Sequence, residues 1–331
     1  MAQAKPVDLV VLHEHPEWQK PLFAALEKRG VSFAPFDLKA AAFDEADVPQ
    51  AKLYFNQASP SAYLRGNVRA VPFALALMRS LEEAGARVLN GSRAFSLELS
   101  KSAQAALLRK LGLRGPRTIT FNDAKAVRPR AAGFPWPALL KPEQGGSGAR
   151  MFLLDSQDEL ERVLEQQPEL WLPDNLLLLQ EKIPYEAAHG IVRMEFLGGE
   201  LLYAMRVVSH GSFNLCPSEV CNPVDGEEGA CAVPEAKPAA SPGSASQAAA
   251  PPVEFYPYPE VSPGAIDAGR KIVRAGGLDV AGIEFIETRE GPVFYDINAN
   301  SNLRAPIAAA FGFDPFERVV DFLERELAKS R

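Results

Sequence analysis

The sequence predicts an α/β protein in which a doubly wound layer precedes a larger region of α+β character. Through residues 7–89, short apolar runs alternate with stretches of helical periodicity, which is typical of parallel strands joined by helices. Two hairpin signals lie in the second half of the chain, so antiparallel strands are expected there. The chain has 331 residues, of which 47% are hydrophobic and 23% charged, so it can bury more than one core. We expect an N-terminal α/β domain at 1–90 and a second domain at 91–331.

The elements of the first domain follow from apolar periodicity and turn residues. Residues 7–12 form an apolar run that suits a buried parallel strand, and Gly30 ends the helix that the spacing predicts over 18–28. No G-x-G-x-x-G motif follows the first strand, so the sequence does not predict a dinucleotide site. The remaining elements are strands at 31–36, 52–55 and 87–89 and a helix at 71–84.

The second domain is predicted to begin with a helix over 92–111, which ends at Gly112. Residues 226–252 consist mainly of Gly, Ala, Pro and Ser without an apolar period, which predicts a flexible insert. Strands are expected up to Lys141, at 151–154 and at 176–180, with helices at 158–166 and 315–328.

Charge and composition exclude several function classes. The formal net charge of −7 argues against nucleic acid as the main partner, because affinity for phosphate backbones needs a dense set of Lys and Arg. The N-terminus lacks the apolar segment of a secretion signal, and no run approaches the ~20 apolar residues that span a bilayer. Cys216, Cys221 and Cys231 match no common zinc spacing and fit free thiols in a reducing compartment. We therefore expect a cytoplasmic protein without a membrane partner.

The segment 282–298 carries the most informative polar side chains. Two apolar and β-branched stretches flank a turn, which indicates a hairpin. With the turn centred on Glu290, Glu284 faces Asp296, and Asn298 lies on the same face two residues further on. Opposed carboxylates repel unless a positive charge lies between them, and carboxylate and amide oxygens suit Mg²⁺. The alternative is a solvated hairpin face, but the apolar neighbours favour burial and therefore a partner for these charges.

A second polar group is formed by Lys141 and the glycine-rich loop that follows it. The lysine ends an apolar strand, and the loop offers backbone N–H groups without Cβ obstruction, an arrangement that suits phosphate oxygens. It is not a Walker A loop, in which the lysine follows the glycines. Taken alone, such a loop is more often a simple turn. Its residues are Gly145, Gly146, Ser147 and Gly148.

Two further patterns complete the candidate site. A Gly198-Gly199 turn predicts a hairpin that pairs Arg193 with Ala204 and Ile191 with Arg206, so that both arginines share one face and can hold an anion. The alternative is two exposed arginines, paired with neighbouring carboxylates. Residues 176–180 form a buried strand that leads into a linker of Glu181, Lys182 and Ile183. Free backbone groups in this linker could bond the edge of a purine, but the same sequence pattern fits the exit of any buried strand.

The order of these motifs resembles that of the ATP-grasp superfamily, and within it the RimK-like branch of carboxylate–amine ligases. The resemblance covers residues from about 90 to the C-terminus, and the preceding α/β layer fits the family's usual first domain. The sequence departs from the family at Ile191, where an Asp is usual, and after Asn298, where N-x-S-P-G is the commoner ending. The matching positions are Lys101 within Leu99-Ser100-Lys101-Ser102, Lys141 with its loop, Gln180 to Ile183, Arg193, Arg206, Glu284, and Asp296 to Asn298.

The resemblance implies an ATP-grasp fold with ATP between two lobes, of which the smaller lies at about 116–184. Family chemistry is attack of a substrate carboxylate on the γ-phosphate, which gives an acyl phosphate that an amine captures. Arg206 and Arg193 are then the candidates that steady the acyl phosphate. The resemblance assigns the phosphates to Lys101, Lys141 and the loop Gly145 to Gly148, adenine to Glu181, Lys182 and Ile183, and Mg²⁺, with Mn²⁺ as the alternative, to Glu284, Asp296 and Asn298.

The substrates are left open by the sequence. Asn302 and Arg304 follow the proposed metal ligands and are candidates for contact with the amine. His13 and Arg65 lie just past predicted strands: His13 is a candidate for contact with a substrate, and Arg65 could anchor a substrate carboxylate. Solvent exposure is the alternative for both of the latter. Two other functions remain open: a small-molecule kinase on the same fold and a non-catalytic ATP-binding protein. The sequence does not decide whether the protein is a monomer or a homo-oligomer.

Overall fold

The computed structural model describes residues 7–44, 51–145, 150–186, 188–209, 253–301 and 303–329. The insert expected at 226–252 and the three cysteines lie outside the described residues. Within the described residues, no helix combines the length and the apolar character needed to cross a membrane.

The N-terminal layer is a four-stranded parallel sheet with helices on both faces. Its strand order is β2-β1-β3-β4, so the chain winds in both directions from β1. The apolar side chains of α1 pack on one face, against Leu9 and Leu53, and those of α2 pack on the other, against Val10 and Tyr54. The expected doubly wound layer is present. The elements are β1 (Val7–His13), α1 (Pro16–Arg29), β2 (Phe33–Asp37), β3 (Ala51–Asn56), a 3₁₀ helix (Pro60–Arg65), α2 (Ala70–Glu83) and β4 (Val88–Leu89).

The helix predicted over 92–111 is wrong in one respect, because it is two helices, α3 (Ser92–Leu99) and α4 (Lys101–Lys110). Ser100 adopts an extended backbone between them, and its hydroxyl accepts a hydrogen bond from Ala103 N at 3.1 Å. Serine is a strong N-cap because it satisfies one of the free N–H groups of the first turn. The break makes Lys101 the first residue of α4.

The smaller lobe contains a four-stranded antiparallel sheet in the order β5-β8-β6-β7. One face carries the apolar side chains that pack on α5 and α6, including Leu140 and Leu179. Because side chains alternate along a strand, Lys141 and Gln180 lie on the opposite face. The elements are β5 (Thr118–Phe121), α5 (Ala124–Ala131), β6 (Ala138–Pro142), β7 (Phe152–Leu154), α6 (Gln157–Gln166), a 3₁₀ helix (Pro168–Trp171) and β8 (Leu177–Glu181).

The central sheet has five antiparallel strands in the order β11-β10-β9-β12-β13. One face packs against α3, α4 and α7 through a core that includes Phe196, Ile272 and Phe285. The other face carries the charged residues that form the candidate site. The elements are β9 (Ile191–Leu197), β10 (Glu200–Val208), β11 (Glu254–Pro257), α7 (Pro263–Gly276), β12 (Val280–Thr288), β13 (Gly291–Asn298), α8 (Ala305–Ala309) and α9 (Pro315–Lys329).

Two connections hold the N-terminal layer against the central sheet. The last helix, α9, returns to pack beside α1 on the N-terminal sheet. Asn90 is fully buried, and its side chain bonds the backbone of Val280 and Asp279 at the start of β12. The predicted boundary at residue 90 stays a prediction, since the C-terminal helix shares a core with the first domain.

Candidate active site

The hairpin of β12 and β13 brings the two predicted carboxylates face to face. Glu284 pairs with Asp296 and Gly282 pairs with Asn298, so the predicted pairing of Glu284 with Asp296 is confirmed. The turn itself is one residue shorter than expected, because Thr288 pairs with Gly291. A bulge at Tyr295 inserts one extra residue and restores the register at Asp296.

Each of the two carboxylates, of which Glu284 is buried and Asp296 partly exposed, has a cation of its own. The Arg193 guanidinium donates to Glu284 Oε1 at 2.8 Å, and the Tyr295 hydroxyl donates to Glu284 Oε2 at 2.8 Å. The Lys101 ammonium bonds Asp296 Oδ1. Cations therefore compensate the repulsion expected between the opposed carboxylates.

The electrostatic environment separates the two acids. Burial raises the pKa of Glu284, and repulsion from Asp296 raises it further. Burial alone would also raise the pKa of Asp296, but the charge and hydrogen bond of Lys101 hold it below its usual value. Asp296 is thus the more strongly ionised member of the pair, which suits a cation ligand.

Arg193 lies between two glutamates, in space that is open because residue 282 is a glycine. Its Nε donates to Glu195 Oε1 at 2.6 Å, and Glu195 is fully buried. A Cβ on Gly282 would overlap the guanidinium, so glycine is required for this arginine to cross β12. Burial would lower the pKa of Arg193, but Glu195 and Glu284 raise it well above its ordinary value, and the arginine stays charged.

Lys141 comes to the same region from the smaller lobe. Its Nζ donates to Gln180 Oε1 at 2.8 Å, and the side chain is almost fully buried. Burial, followed by repulsion from Lys101, lowers the pKa of Lys141 to about 8, while Asp296 and Glu143 oppose the shift. A buried ammonium without a carboxylate bonded to it favours a bound anion, which the proposed triphosphate would supply.

Glu143 holds the two lysine-bearing elements together, a role that the sequence did not indicate. Its carboxylate accepts from Ser102 N at 3.0 Å, at the N-terminus of α4, and also from the Ser100 and Ser102 hydroxyls. An acceptor there satisfies free N–H groups of the first turn and complements the helix dipole. Gly145 follows two residues later and lies beside the Lys101 side chain.

Arg206 is not where the sequence predicted it. A bulge near Leu202 shifts the register of β9 and β10, so Arg193 pairs with Met205 and Arg206 pairs with Val192. The two arginines consequently lie on opposite faces of the sheet, and the predicted shared face is wrong. Arg206 donates to Glu287 Oε2 at 2.9 Å and stacks on Tyr258, with 4.3 Å from its Cζ to the ring centroid.

The structure describes only part of the other predicted positions. Gly146, Ser147, Gly148 and Asn302 lie outside the described residues. Glu181 ends β8, where its N–H donates to Arg117 O at 2.8 Å and is therefore not free for a purine. Lys182 and Ile183 follow in the linker, and Ile183 packs against the outer part of the central sheet.

Of the predicted substrate residues, His13 and Arg65 lie in one group and Arg304 in another. His13 ends β1 and is 3% exposed, and burial lowers its pKa. Arg65 forms a buried ion pair with Glu14 and donates to Ser61 Oγ at 3.0 Å, so its charge is already compensated. Arg304 stacks on Phe255, with 3.3 Å from its Cζ to the ring centroid. Their roles stay predictions.

The donor set fits the divalent cation that the resemblance implies. Two opposed carboxylates and the amide of Asn298 share one face, and Mg²⁺ usually takes one or two carboxylates with substrate phosphates and water. Among the described residues, no three His, Cys, Asp or Glu side chains form a metal cluster. These residues therefore suit a divalent cation that phosphates help to hold. When bound, the cation would compensate negative charge on those phosphates.

Comparison with known proteins agrees with this arrangement. No family model matches the chain. It is 26% identical over 259 residues to a probable alpha-L-glutamate ligase of Parasynechococcus marenigrum, which covers 77% of this chain and 47% of that protein. A protein of the same description from Haemophilus influenzae is 23% identical over 252 residues, 75% of this chain and 70% of its own. The chain spans 9% and 35% of two further relatives, a carbamoyl phosphate synthase large chain of Rubrobacter xylanophilus and an N5-carboxyaminoimidazole ribonucleotide synthase of Synechococcus elongatus.

Solved structures establish the fold. The ATP-grasp ligase PsnB, complexed with a phosphomimetic variant of its minimal precursor, Mg and ADP, aligns with a TM-score of 0.61 at 19% identity, over 97% of this chain and 98% of that one. A RimK domain protein of Sphaerobacter thermophilus aligns with a TM-score of 0.64 at 17% identity, over 96% and 99%. The VanG D-Ala:D-Ser ligase of Enterococcus faecalis aligns with 0.65 at 15%, over 98% and 100%. The chain has the ATP-grasp fold, and the predicted resemblance to the RimK-like branch is confirmed.

Proposed function

We propose that this protein is an ATP- and Mg²⁺-dependent ligase that joins a carboxylate to an amine and releases ADP and phosphate. The observation that carries the proposal is the meeting of four charges from four separate elements. Lys101 from α4 bonds Asp296, and Lys141 from β6 is close enough for the charges of Lys101, Asp296 and Glu284 to act on its pKa. Cations for a triphosphate thus lie opposite oxygen ligands for its metal ion.

The chemistry follows from these charges. A substrate carboxylate oxygen attacks the γ-phosphorus, the bond to ADP breaks, and an acyl phosphate forms. The amine then attacks the acyl carbon, phosphate leaves, and the amine proton passes to solvent. Lys101 and Lys141 would hold the phosphates and stabilise the charge that develops on the transferred group. The metal ion, held by Glu284, Asp296 and Asn298, would supply further charge compensation when bound.

The curated relatives and solved neighbours support this reaction class, since several are described as ligases. Arg193 remains our candidate for the acyl phosphate, because it lies on the same sheet face as Glu284. Arg206 lies on the opposite face, so a contact from both arginines to one acyl phosphate would need an approach around the sheet edge. We therefore assign the role to Arg193.

Hydroxylamine trapping tests the proposal directly. With ATP, Mg²⁺ and a panel of amino acids as carboxylates, hydroxylamine should yield a hydroxamate together with ADP. Asp296→Asn removes a proposed metal ligand and should reduce turnover at least about 100-fold. Asp267→Asn, an exposed aspartate on α7, is the matched control and should retain activity. A phosphoester in place of the hydroxamate would indicate a kinase, and nucleotide binding without ADP release would indicate a non-catalytic binder; either contradicts the proposal.

A further inference from the structure

A partly open cavity of about 60 Å³ lies where the N-terminal sheet meets the segment after β13. Seven of its lining side chains are apolar, and among them Leu22 comes from α1 and Val319 from α9. None of the described residues that line it is charged. Well-packed interiors contain few voids of this size, so the cavity is either a packing defect or a binding pocket.

One wall of the cavity is connected to the proposed metal ligands. Asn300 and Ser301 line it, two and three residues after Asn298. The Ser301 hydroxyl bonds Glu195, which accepts from Arg193, and Arg193 in turn bonds Glu284. The cavity therefore shares a wall with the hydrogen-bonded network that ends at the proposed metal ligand Glu284.

Trp18 also lines the cavity. His15 stacks on its ring at 4.4 Å between centroids, and the Arg65 guanidinium lies 4.4 Å from the ring centroid. Its indole Nε1 is buried and has no hydrogen-bond partner in the described part of the chain. Buried polar groups normally have partners, so a bound molecule that reaches this N–H would have to offer it an acceptor from its polar part, such as a carbonyl oxygen, and not from an aliphatic side chain.

We propose that this cavity holds the aliphatic side chain of the amine substrate, an amino acid or peptide terminus with a residue of valine or leucine size. The inference rests on the ligase function proposed above. One water-sized group needs roughly 10–15 Å³ of such space, so the cavity of about 60 Å³ accommodates about four to six heavy atoms. An acidic side chain is disfavoured, because none of the described residues that line the cavity is a cation and an unpaired buried carboxylate is strongly unfavourable. The substrate would thus differ from glutamate.

The first part of the test separates the two proposals. The hydroxylamine reaction needs only ATP, Mg²⁺ and the carboxylate, and it identifies that carboxylate from the amino-acid panel. If no hydroxamate forms, the ligase function itself has failed. With the carboxylate known, L-leucine amide, L-alanine amide and the α-amide of L-glutamate are compared as amines. We expect kcat/KM for leucine amide to exceed that for alanine amide at least about tenfold and that for the glutamate amide at least about 100-fold. Equal or greater activity with the glutamate amide would overturn the inference.

The second part uses the cavity itself. Val319→Leu adds one methylene to the lining and should lower kcat/KM for leucine amide about tenfold while leaving the hydroxylamine reaction unchanged. Val68→Leu, the same substitution at an exposed position, is the control. If Val319→Leu lowers the melting temperature, Leu303→Ala replaces it, and this enlarged cavity should shift preference toward L-phenylalanine amide. Three results would contradict the pocket assignment. The first is an unchanged kcat/KM for leucine amide in Val319→Leu, and the second is an equal loss of the hydroxylamine reaction in that variant. The third is an unchanged preference between leucine amide and phenylalanine amide in Leu303→Ala.

Discussion

Lys141→Met is expected to raise stability at neutral pH and to abolish ATP-dependent turnover. Lys141 is 7% exposed, and burial lowers its pKa from 10.5 to about 8. One pKa unit corresponds to about 1.4 kcal/mol, so the shift represents about 3 kcal/mol of unfavourable free energy in the folded protein at pH 7. Loss of the hydrogen bond to Gln180 offsets about 1 kcal/mol of the gain. We expect a net increase of about 1–2 kcal/mol in the free energy of unfolding.

The pH dependence gives the sign of the effect. Between pH 8 and 10.5 the unfolded chain retains the Lys141 proton while the folded protein loses it, so the wild-type protein gains stability as pH rises through this window. The methionine variant lacks that titration. Its advantage over the wild type should therefore be largest below pH 8, should fall by about 3 kcal/mol by pH 10.5, and should be replaced there by a deficit of about 1–2 kcal/mol.

Urea unfolding at pH 7, 9 and 10.5 measures this difference, and thermal shifts with ATP and Mg²⁺ measure nucleotide binding. Lys271→Met, on the exposed side of α7, is the matched control and should change neither. A variant that is less stable than the wild type at pH 7, or whose advantage does not change with pH, would refute the argument from burial. Retained ADP release would refute the phosphate role of Lys141.

Three further substitutions follow from buried contacts. Burial raises the pKa of Glu98 to about 8, so the free energy of unfolding of the wild type should fall by several kcal/mol as pH rises from about 4.5 through 8. Glu98→Gln lacks this titration, so urea unfolding of the variant should not show the fall. Asn90→Ala leaves backbone groups of Val280 unsatisfied and should cost about 3 kcal/mol or more in the same assay; a loss below 1 kcal/mol would contradict the role of Asn90. Gly282→Ala should displace Arg193, destabilise the protein by about 3–5 kcal/mol and lower ADP release, whereas Gly264→Ala, which has open space around it, should be tolerated.

The parts of the site that the sequence predicted are those fixed by strand alternation. The apolar residues around Glu284 and Asp296 determine which side of each strand is buried, and this in turn determines which polar residues share a face. The pairing of Glu284 with Asp296 was predicted correctly even though the turn was predicted one residue too long. The Tyr295 bulge compensates for that error, and bulges have no reliable signature in a single sequence.

The same kind of irregularity accounts for the wrong prediction. The bulge near Leu202 changes the partner of Arg206 by one residue, and a one-residue change reverses the face of every later side chain. The break at Ser100 could have been found in the sequence, because serine is among the residues that most often cap the N-terminus of a helix. In the structure its hydroxyl accepts from Ala103 N. Glu143 could not, since its function depends on the approach of α4 from another part of the chain.

The ion pairs of the site also indicate how it remains folded before its ligands arrive. Asp296 and Glu284 would be costly to bury alone, and so would Lys101 and Arg193, but each charge has an opposite charge within bonding distance. A phosphate that takes Lys101 away from Asp296 would leave a buried carboxylate without its cation, and a metal ion at Asp296 would leave the ammonium without its anion. Each ligand therefore compensates the charge that the other exposes, and nucleotide and metal ion should bind more tightly together than either does alone. Lys141, which has no carboxylate of its own in the described contacts, is the charge that the triphosphate compensates directly.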